Sequence, residues 1–291
     1  MKKKIRFVKM QALGNDFVIL DRITQSLTIT PDLIARIGHR QLGIGCDQVL
    51  IVDPPSQPNY DFNYRIFNAN GDEVEQCGNG ARCFGRYVYE KGLTDKNYLT
   101  IGCLANPIYI DLNDPMRIEV LLGKPKFPPS AKDFHINTQK INALGRYKIP
   151  IYKTDKEVTL LSIGNPHCVL SVSNVKDTRV TSIGKLLQND PTFPKGVNVS
   201  FVEVLARNHI KLRVYERGVG ETQACGTAAC AAVIAGVTQG ELNTSVQVDM
   251  SGGSLSVNYD TQKGVSITGN THTVFEGTFV INQTYEYEFA F

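Results

Sequence analysis

The sequence predicts an α+β protein built from two similar halves, and two segments carry this prediction. Residues 216–233, ERGVGETQACGTAACAAV, form a polar, glycine-punctuated loop followed by an alanine-rich run. Alanine is the best helix former, and a run that is apolar on every side is typical of a buried helix, here beginning at Cys225. Residues 67–83, FNANGDEVEQCGNGARC, repeat this layout, with a helical run that follows Cys77 as far as Tyr89.

The similarity of the two segments extends upstream. An offset of 148 residues places Cys77 on Cys225 and Asn68 on Glu216. Further upstream, an offset of 150 residues places polar residues in the same order, because Asn15 then meets Asn165 and Gln48 meets Asn198. This pattern indicates a diverged tandem duplication, with one cysteine at a helix start in each half.

The other elements follow from local patterns. Helices are expected at 30–43, with Thr30 as N-cap, Pro31 in the first turn and Gly43 at the end, and at 181–190. Strands are expected in chain order at 4–10, 17–21, 43–53, 61–71, 98–102, 107–112, 116–122, 157–172, 196–205, 209–218, 246–250, 254–259 and 265–281, with an edge strand at 285–291. Of these segments, 43–53 opens with a tight turn, 61–71 runs into an Asn-Gly turn, and 157–172 contains a turn at 164–166. The pattern therefore predicts that each half is a mostly antiparallel, curved, barrel-like sheet around a central helix. The proline-rich stretch 123–134 is expected to be the linker.

Composition excludes several classes of protein. Among 291 residues, Lys plus Arg exceed Asp plus Glu by only 3, which does not favour nucleic acid or an acidic membrane as partner. No segment resembles a signal peptide or a membrane span, and seven cysteines are an odd number, so a reducing, cytoplasmic location is expected. There is no C-x-x-C pair and no histidine spacing typical of ligands, so no metal is expected. The simplest interpretation of the other cysteines is as core residues: Cys46, Cys83, Cys103, Cys168 and Cys230.

Two cysteines at matched helix starts predict a specific chemistry. The dipole and free N–H groups of a helix start favour a thiolate and can lower a cysteine pKa. If the halves pack about a pseudo-two-fold axis, a substrate carbon between them has one sulfur on each face. One thiolate could remove a proton while the opposite thiol returns one, which inverts the carbon without redox change. Backbone N–H groups at Gly78-Asn79 and Gly226-Thr227 could stabilise the developing carboxylate charge.

Several motifs resemble those of the diaminopimelate epimerase family. They are LGNDF (13–17), NANG (68–71), GNGARC (78–83), GNPH (164–167) and ERGVGETQACGTAAC (216–230), and they cover nearly the whole chain. The resemblance implies a cofactor-independent epimerase that interconverts LL- and meso-2,6-diaminopimelate, on the route to lysine and peptidoglycan. It implies two domains with the site in the cleft between them, and last strands that return to the first domain. The expected boundaries are 1–123 plus about 273–291, and 124–272.

The resemblance also implies roles for individual residues. Cys77 would be the proton donor and Cys225 the acceptor in the LL-to-meso direction, and His167 and Glu216 would matter for activity. A fork-shaped Arg217 suits a substrate carboxylate, and the Glu216 anion suits an ammonium group. The residues expected to contact the substrate are Asn15, Gln48, Asn68, Gly78, Asn79, Asn165, Asn198, Glu216, Arg217, Gly226 and Thr227.

Other interpretations stay open at this point. A proline or hydroxyproline racemase shares the fold, although its substrate lacks the distal polar arm that so many Asn, Gln and Arg residues would serve. Cys77 and Cys225 could instead form a redox switch, or an inactivating disulfide on oxidation. A binding-only protein would keep its ligand when either cysteine is replaced by alanine. An edge-like C-terminal strand hints at a homodimer.

Overall fold

The computed structural model describes residues 2–75, 77–104, 106–127, 133–136, 141–142 and 144–282. Within these ranges it has four helices and eighteen strands, and hydrogen bonds join all the strands into one continuous, mostly antiparallel sheet. The α+β class predicted from the sequence is therefore confirmed, and so is its division into two similar halves.

The elements are numbered in chain order. The first half contains β1 (Lys2–Ala12), β2 (Asn15–Asp21), α1 (Pro31–Gly38), β3 (Gln48–Asp53), β4 (Phe62–Asn68), β5 (Glu73–Val74), α2 (Gly78–Glu90), β6 (Tyr98–Gly102), β7 (Ile108–Asp111) and β8 (Glu119–Gly123). There follow β9 (Arg146–Ile151), β10 (Thr154–Ser162), β11 (Pro166–Ser171), α3 (Val180–Gln188), β12 (Asn198–Ala206), β13 (His209–Glu216), β14 (Gly220–Thr222), α4 (Gly226–Thr238), β15 (Ser245–Met250), β16 (Gly253–Asp260), β17 (Gly264–Thr268) and β18 (His272–Asn282).

The strand register confirms the duplication residue by residue. In the first half, β2 pairs in parallel with β3, and Phe17 lies opposite Gln48. In the second half, β11 pairs in parallel with β12, and His167 lies opposite Asn198. These are the positions that an offset of 150 residues relates, so the repeat seen in the sequence is a repeat of hydrogen-bonded geometry.

The halves are joined on a local two-fold axis. After the central helices the offset between the halves is 147 residues, because Phe62 opposite Ile101 corresponds to Ile210 opposite Val248. Strands β8 and β17 are therefore equivalent, and they pair antiparallel, with Val120 opposite Ile267. Helices α2 and α4 contact each other on the same axis. Their buried side chains belong to one apolar cluster that extends through both halves. The two helix starts are thereby held together in the middle of the molecule.

The ends of the described chain bear on the expected domain boundaries. Strand β18 pairs with β1 over its length, from Lys2 opposite Asn282 to Gln11 opposite His272. In the linker predicted at 123–134, Lys126 forms a bridge with Ser162, and residues 128–132 lie outside the described ranges. The edge strand predicted at 285–291 also lies outside them.

Several details of the predicted secondary structure were wrong: the short strands β5 and β14 were not anticipated, and the end of α1 and strand β9 also differ from the prediction. Helix α1 begins as expected, with the Thr30 hydroxyl accepting from the Leu33 N–H, but it ends at Gly38 rather than Gly43, because the next residue, His39, is extended. Strand β9 was not anticipated. Its Pro150 removes a backbone donor and weakens the strand signal, but β9 pairs with β10 over six residues.

Four of the five cysteines expected in the core are buried. Cys46, Cys83, Cys168 and Cys230 are buried, as core residues should be, whereas Cys103 is half-buried. No helix among the described residues is long and apolar enough to cross a membrane. In the same ranges, no cluster of His, Cys, Asp and Glu is placed to hold a metal ion.

Candidate active site

The two cysteines predicted to be catalytic are the N-cap residues of the two central helices. Cys77 precedes α2 and Cys225 precedes α4, and both have extended backbone angles, with φ of −141° and −136°. The helix starts are in close contact, because a Cβ added to Gly226 would lie 3.9 Å from the Gly78 Cα and 3.1 Å from Ile267 Cδ1. Glycine at both positions thus allows two helix N-termini to approach one another.

The ionisation of these thiols differs from the sequence-based expectation. Burial raises the pKa of Cys77 to about 11, although the Gly80 N–H at the start of α2 acts in the opposite direction. Burial also raises the pKa of Cys225 well above its usual value. The Glu216 carboxylate further raises both pKa values. The expectation that the helix starts would lower these pKa values was wrong for this structure, because desolvation outweighs the helix N–H groups.

Asn15 and Tyr64 define the surroundings of Cys77. The Cys77 thiol donates to Asn15 Oδ1 at 3.8 Å, and the Tyr64 hydroxyl donates to the Cys77 carbonyl at 3.3 Å. Asn15 is oriented in turn by Asp47, whose Oδ2 accepts from Asn15 Nδ2 at 2.9 Å. The amide oxygen of Asn15 is therefore directed at the sulfur, where it favours the protonated thiol.

A different set of residues surrounds Cys225. Its sulfur lies 3.5 Å from the Thr227 hydroxyl, which accepts from Asn165 Nδ2 at 3.5 Å. His167 Nε2 lies 2.9 Å from Asn165 Oδ1 and donates to it. Burial lowers the pKa of His167 to about 3, so this imidazole is neutral at physiological pH. His167 thus orients Asn165 and carries no charge into the site.

The remaining predicted contacts lie at the ends of the strands around the two helix starts. Gln48 Nε2 donates to Asn68 Oδ1 at 3.0 Å. Asn198 is buried, and its Oδ1 accepts from the Arg217 N–H at 3.0 Å. The Glu216 carboxylate accepts from the Thr222 hydroxyl. The Arg217 side chain is exposed, so of these residues it is the one most free to meet a ligand from solvent.

Asn79 is placed differently from the expectation of a simple contact residue. Its side chain is buried, and Oδ1 accepts from Arg82 Nη2 at 2.6 Å. With Oδ1 engaged by Arg82, its backbone N–H is the group that suits the role expected of the helix start.

Four residues near the site were missed by the sequence reasoning: Asp47, Tyr64, Arg82 and Thr222. Of these, Arg82 had a detectable signal, because the offset of 148 places this arginine on Cys230, in the middle of an otherwise apolar helix.

Similar solved structures define the class of the fold. A hydroxyproline epimerase from Agrobacterium vitis superposes with a TM-score of 0.70 at 12% identity, over 97% of this chain and 94% of that one. A phenazine biosynthesis protein of the PhzF family from Bacillus anthracis superposes with a TM-score of 0.65 at 19% identity, over 96% of this chain and 100% of that one. The protein therefore has the duplicated fold that these proteins share.

Sequence comparisons define the family within this class. The family model described as diaminopimelate epimerase matches residues 7–128 and 159–274. The diaminopimelate epimerase of Psychrobacter arcticus is 46% identical over 279 residues, covering 94% of each chain. That of Thioalkalivibrio sulfidiphilus is 45% identical over 281 residues, covering 96% of this chain and 100% of the relative. The chain belongs to the diaminopimelate epimerase family.

Proposed function

We propose that the protein interconverts LL- and meso-2,6-diaminopimelate by proton transfer between Cys77 and Cys225. The observation that carries this proposal is the meeting of two cysteine-capped helix starts on the axis between the halves. A carbon bound there has one sulfur available on each side. Family membership supports the substrate, and the paired helix starts support the two-base chemistry.

Each proton transfer has a defined origin and destination. In the LL-to-meso direction, the Cys225 thiolate removes the α-proton and becomes a thiol, while the Cys77 thiol gives its proton to the opposite face and becomes a thiolate. The hydrogen bond from the Cys77 thiol to Asn15 Oδ1 suits the starting state of Cys77. The reverse reaction exchanges the two roles.

The raised pKa values are consistent with this chemistry. An amino acid α-proton is very weakly acidic, so the base must be strong, and a thiolate whose conjugate acid has a raised pKa is a stronger base. N–H groups at the starts of α2 and α4 would hold the carboxylate and stabilise the charge that develops on it. A substrate that expels water would strengthen these interactions.

The polar residues around the helix starts would recognise the rest of a doubly zwitterionic substrate. Arg217 would bind a carboxylate, and Glu216 an ammonium group. Asn15, Gln48, Asn68, Asn165 and Asn198 would contribute further amide donors and acceptors. His167 would act by holding Asn165, since it is buried and neutral.

Three further proposals concern the organisation of the protein. We propose an N-terminal domain of residues 1–123 plus about 273–291 and a C-terminal domain of 124–272, which the pairing of β18 with β1 supports. We propose a cytoplasmic location, which the free cysteines among the described residues support. A homodimer is proposed as well, and light scattering on the purified protein would test it.

Proton NMR in deuterated buffer tests the activity. The reduced protein should exchange the α-proton of LL-diaminopimelate and form the meso isomer, and Cys77→Ala and Cys225→Ala should each abolish this conversion. Exchange with L-proline or hydroxyproline instead would contradict the proposed substrate. Unchanged conversion by either alanine variant would contradict the two-cysteine mechanism.

A further inference from the structure

Arg82 is a buried cation directly behind the start of α2. It lies five residues after Cys77, its side chain is fully buried, and it is among the largest side chains of the core. At the equivalent position of α4 the chain has Cys230. The two otherwise matched helices therefore differ by a full positive charge close to one of the two reactive cysteines.

The guanidinium group of Arg82 is poorly satisfied. Nη2 donates to Asn79 Oδ1 at 2.6 Å, and Nη1 to the Asn270 carbonyl at 3.4 Å. Nε has no hydrogen-bond partner among the described residues, which also provide no carboxylate to form an ion pair with this arginine. Arginine has five N–H donors and keeps its charge even when buried, so this arrangement is costly unless a counter-charge is present.

Among the described residues, the ionisable groups that interact electrostatically with Arg82 are three thiols. Cys77 and Cys83 come from α2, and Cys230 comes from α4. The turn at 269–270 contributes only backbone. Cys83 and Cys230 are fully buried among apolar side chains, where burial raises the pKa of each thiol far above its usual value. Cys77 is half-buried at the helix start, and burial raises its pKa less, to about 11, so it is the thiol of the three that ionises most readily beside Arg82.

Asn79 links Arg82 to the other helix. Its Oδ1, which accepts from Arg82, would lie 3.8 Å from a Cβ placed on Gly226 at the start of α4. The guanidinium therefore fixes the carboxamide that lies between the two helix starts.

We propose that Arg82 is a positioning residue that stabilises negative charge on the Cys77 sulfur and fixes Asn79 against the start of α4. Its charge acts on Cys77 and has no equivalent on α4 beside Cys225 among the described residues, so it favours the thiolate on Cys77, in opposition to the Asn15 acceptor that favours the thiol. Under the proposed function, a thiolate on Cys77 is the form that accepts a proton from the meso isomer. Only this assignment of direction rests on the proposed function.

Alkylation without substrate tests the charge effect. The rate of iodoacetamide addition to Cys77 and to Cys225 would be followed by peptide mass spectrometry at a series of pH values. Other groups that act on the Cys77 thiol are the Glu216 carboxylate and the Tyr64 hydroxyl, and both are unchanged in the variants. At pH values below the midpoint of the Cys77 titration, Arg82→Met should slow alkylation of Cys77 about tenfold, which corresponds to a rise of roughly one pKa unit. The pH dependence of alkylation at Cys225 should be unchanged.

Two more variants separate charge from packing. Arg82→Lys retains a cation but not the fork that binds Asn79, so it should restore the Cys77 alkylation profile while kcat/KM for diaminopimelate stays low. Arg86→Met is the matched control, because Arg86 lies one turn further on α2 and pairs with Glu90 at 2.7 Å. It should leave both alkylation profiles unchanged. Thermal unfolding of each variant reports whether it is folded.

The outcomes distinguish this inference from the proposed function. An unchanged Cys77 profile in folded Arg82→Met would overturn the inference, and so would an equal change at Cys225. If Arg82→Met does not fold, the Arg82→Lys variant decides. A Cys77 alkylation profile like that of the wild type, together with a reduced kcat/KM, supports the inference. A kcat/KM equal to that of the wild type overturns it. Failure of the wild-type protein to epimerise diaminopimelate would leave the alkylation result intact and would count against the proposed function alone.

Discussion

Helices α2 and α4 have the same geometry and different chemistry. Each has 13 residues, each begins after a cysteine N-cap, and each is followed two residues later by a glycine with positive φ, 61° at Gly92 and 72° at Gly240. Helix α4 carries no charged residue, whereas α2 carries Arg82 and Arg86. The backbone of the repeat thus places two sulfurs symmetrically, and the side chains then make their surroundings unequal.

Outside the helices, too, the backbone is repeated while the side chains around the two cysteines differ. His167, which orients Asn165, occupies the position that Phe17 has in the first half, and Glu216 occupies that of Asn68. Asn15 is held instead by Asp47, which belongs to an ion network with Arg40 and Asp16. A two-base enzyme needs two groups in opposite protonation states, so unequal surroundings on an equal backbone suit the proposed reaction.

The largest expected effect comes from removing the one carboxylate that acts on both cysteines. Glu216→Gln should reduce kcat/KM for diaminopimelate on the order of 10²-fold or more, as loss of a positioned polar group in a catalytic site does. Its negative charge raises both thiol pKa values, so the variant should also alkylate at lower pH at Cys77 and Cys225. Asn68→Asp, at the equivalent position, is the matched variant. Thiol profiles that move upward in Glu216→Gln would contradict this account.

The next effect is a difference in acid stability between the wild-type protein and a variant in which His167 is replaced by a residue that does not titrate. Unfolded histidine protonates near pH 6.5, but folded His167 stays neutral down to a pKa of about 3. The unfolded state therefore binds more protons as pH falls below 6.5, and stability is lost over that range. His167→Gln should lose about 2–3 kcal/mol less than the wild type between pH 7 and 4.5, measured by urea unfolding.

This pH range keeps other groups from interfering. Hydrogen bonds from Arg40 and Lys9 outweigh burial and hold the pKa of Asp16 at about 2, so Asp16 titrates below the range. His209, which pairs with Asp249 at 2.7 Å, is common to both proteins and cancels in the comparison. Equal losses in wild type and variant would show that His167 is not buried in neutral form.

A smaller effect is expected where the packing of the two helices differs. Gly80 in α2 is equivalent to Ala228 in α4, and a Cβ on Gly80 would lie 2.5 Å from the Tyr64 hydroxyl. Gly80→Ala should therefore destabilise the protein by about 1–3 kcal/mol through overpacking. Ala228→Gly, the reverse change, should cost about 1 kcal/mol through helix propensity. Denaturant unfolding measures both, and a stabilised Gly80→Ala protein would be inconsistent with this packing.

The smallest effect concerns a hydrogen bond present in one half only. Tyr64 is equivalent to Leu212, so Cys77 alone has a hydroxyl that donates to its carbonyl, at 3.3 Å. Tyr64→Phe should cost about 1 kcal/mol of unfolding free energy. It should also reduce the cost of Gly80→Ala, because the atom that a Cβ would meet is removed. If the two substitutions were additive, the hydroxyl would not be the obstacle.

The elements that the sequence predicted best are those with local signals. The two cysteine N-caps and the Thr30 cap depend on a few adjacent residues, and the duplication provides a second copy of the cysteine pattern. The end of α1 and strand β9 depend on contacts with distant segments. His39 and Pro150 have no local feature that would reveal those contacts.

The sequence predicted the position of several polar residues around the helix starts, but it did not predict the electrostatics of the two thiols. The repeat and the family resemblance brought Asn15, Gln48, Asn165 and Asn198 to the vicinity of the helix starts. The direction of the thiol pKa values was wrong, because burial is a property of the whole fold. Asn79 was expected as a contact, but the hydrogen bond that holds its side chain to the buried Arg82 becomes apparent only in three dimensions.

The pairing of β8 with β17 has a consequence for how such a molecule can arise. Val120 and Ile267 are equivalent residues and lie opposite each other, and their neighbours exchange partners in the same way, Glu119 with Thr268 and Leu121 with Ser266. This is the pattern of an isologous contact, in which one surface binds a second copy of itself. A chain of half this length, pairing with its own copy through that strand, would bring a single cysteine twice to one cleft. Fusion of the two copies then frees each cysteine neighbourhood to change separately.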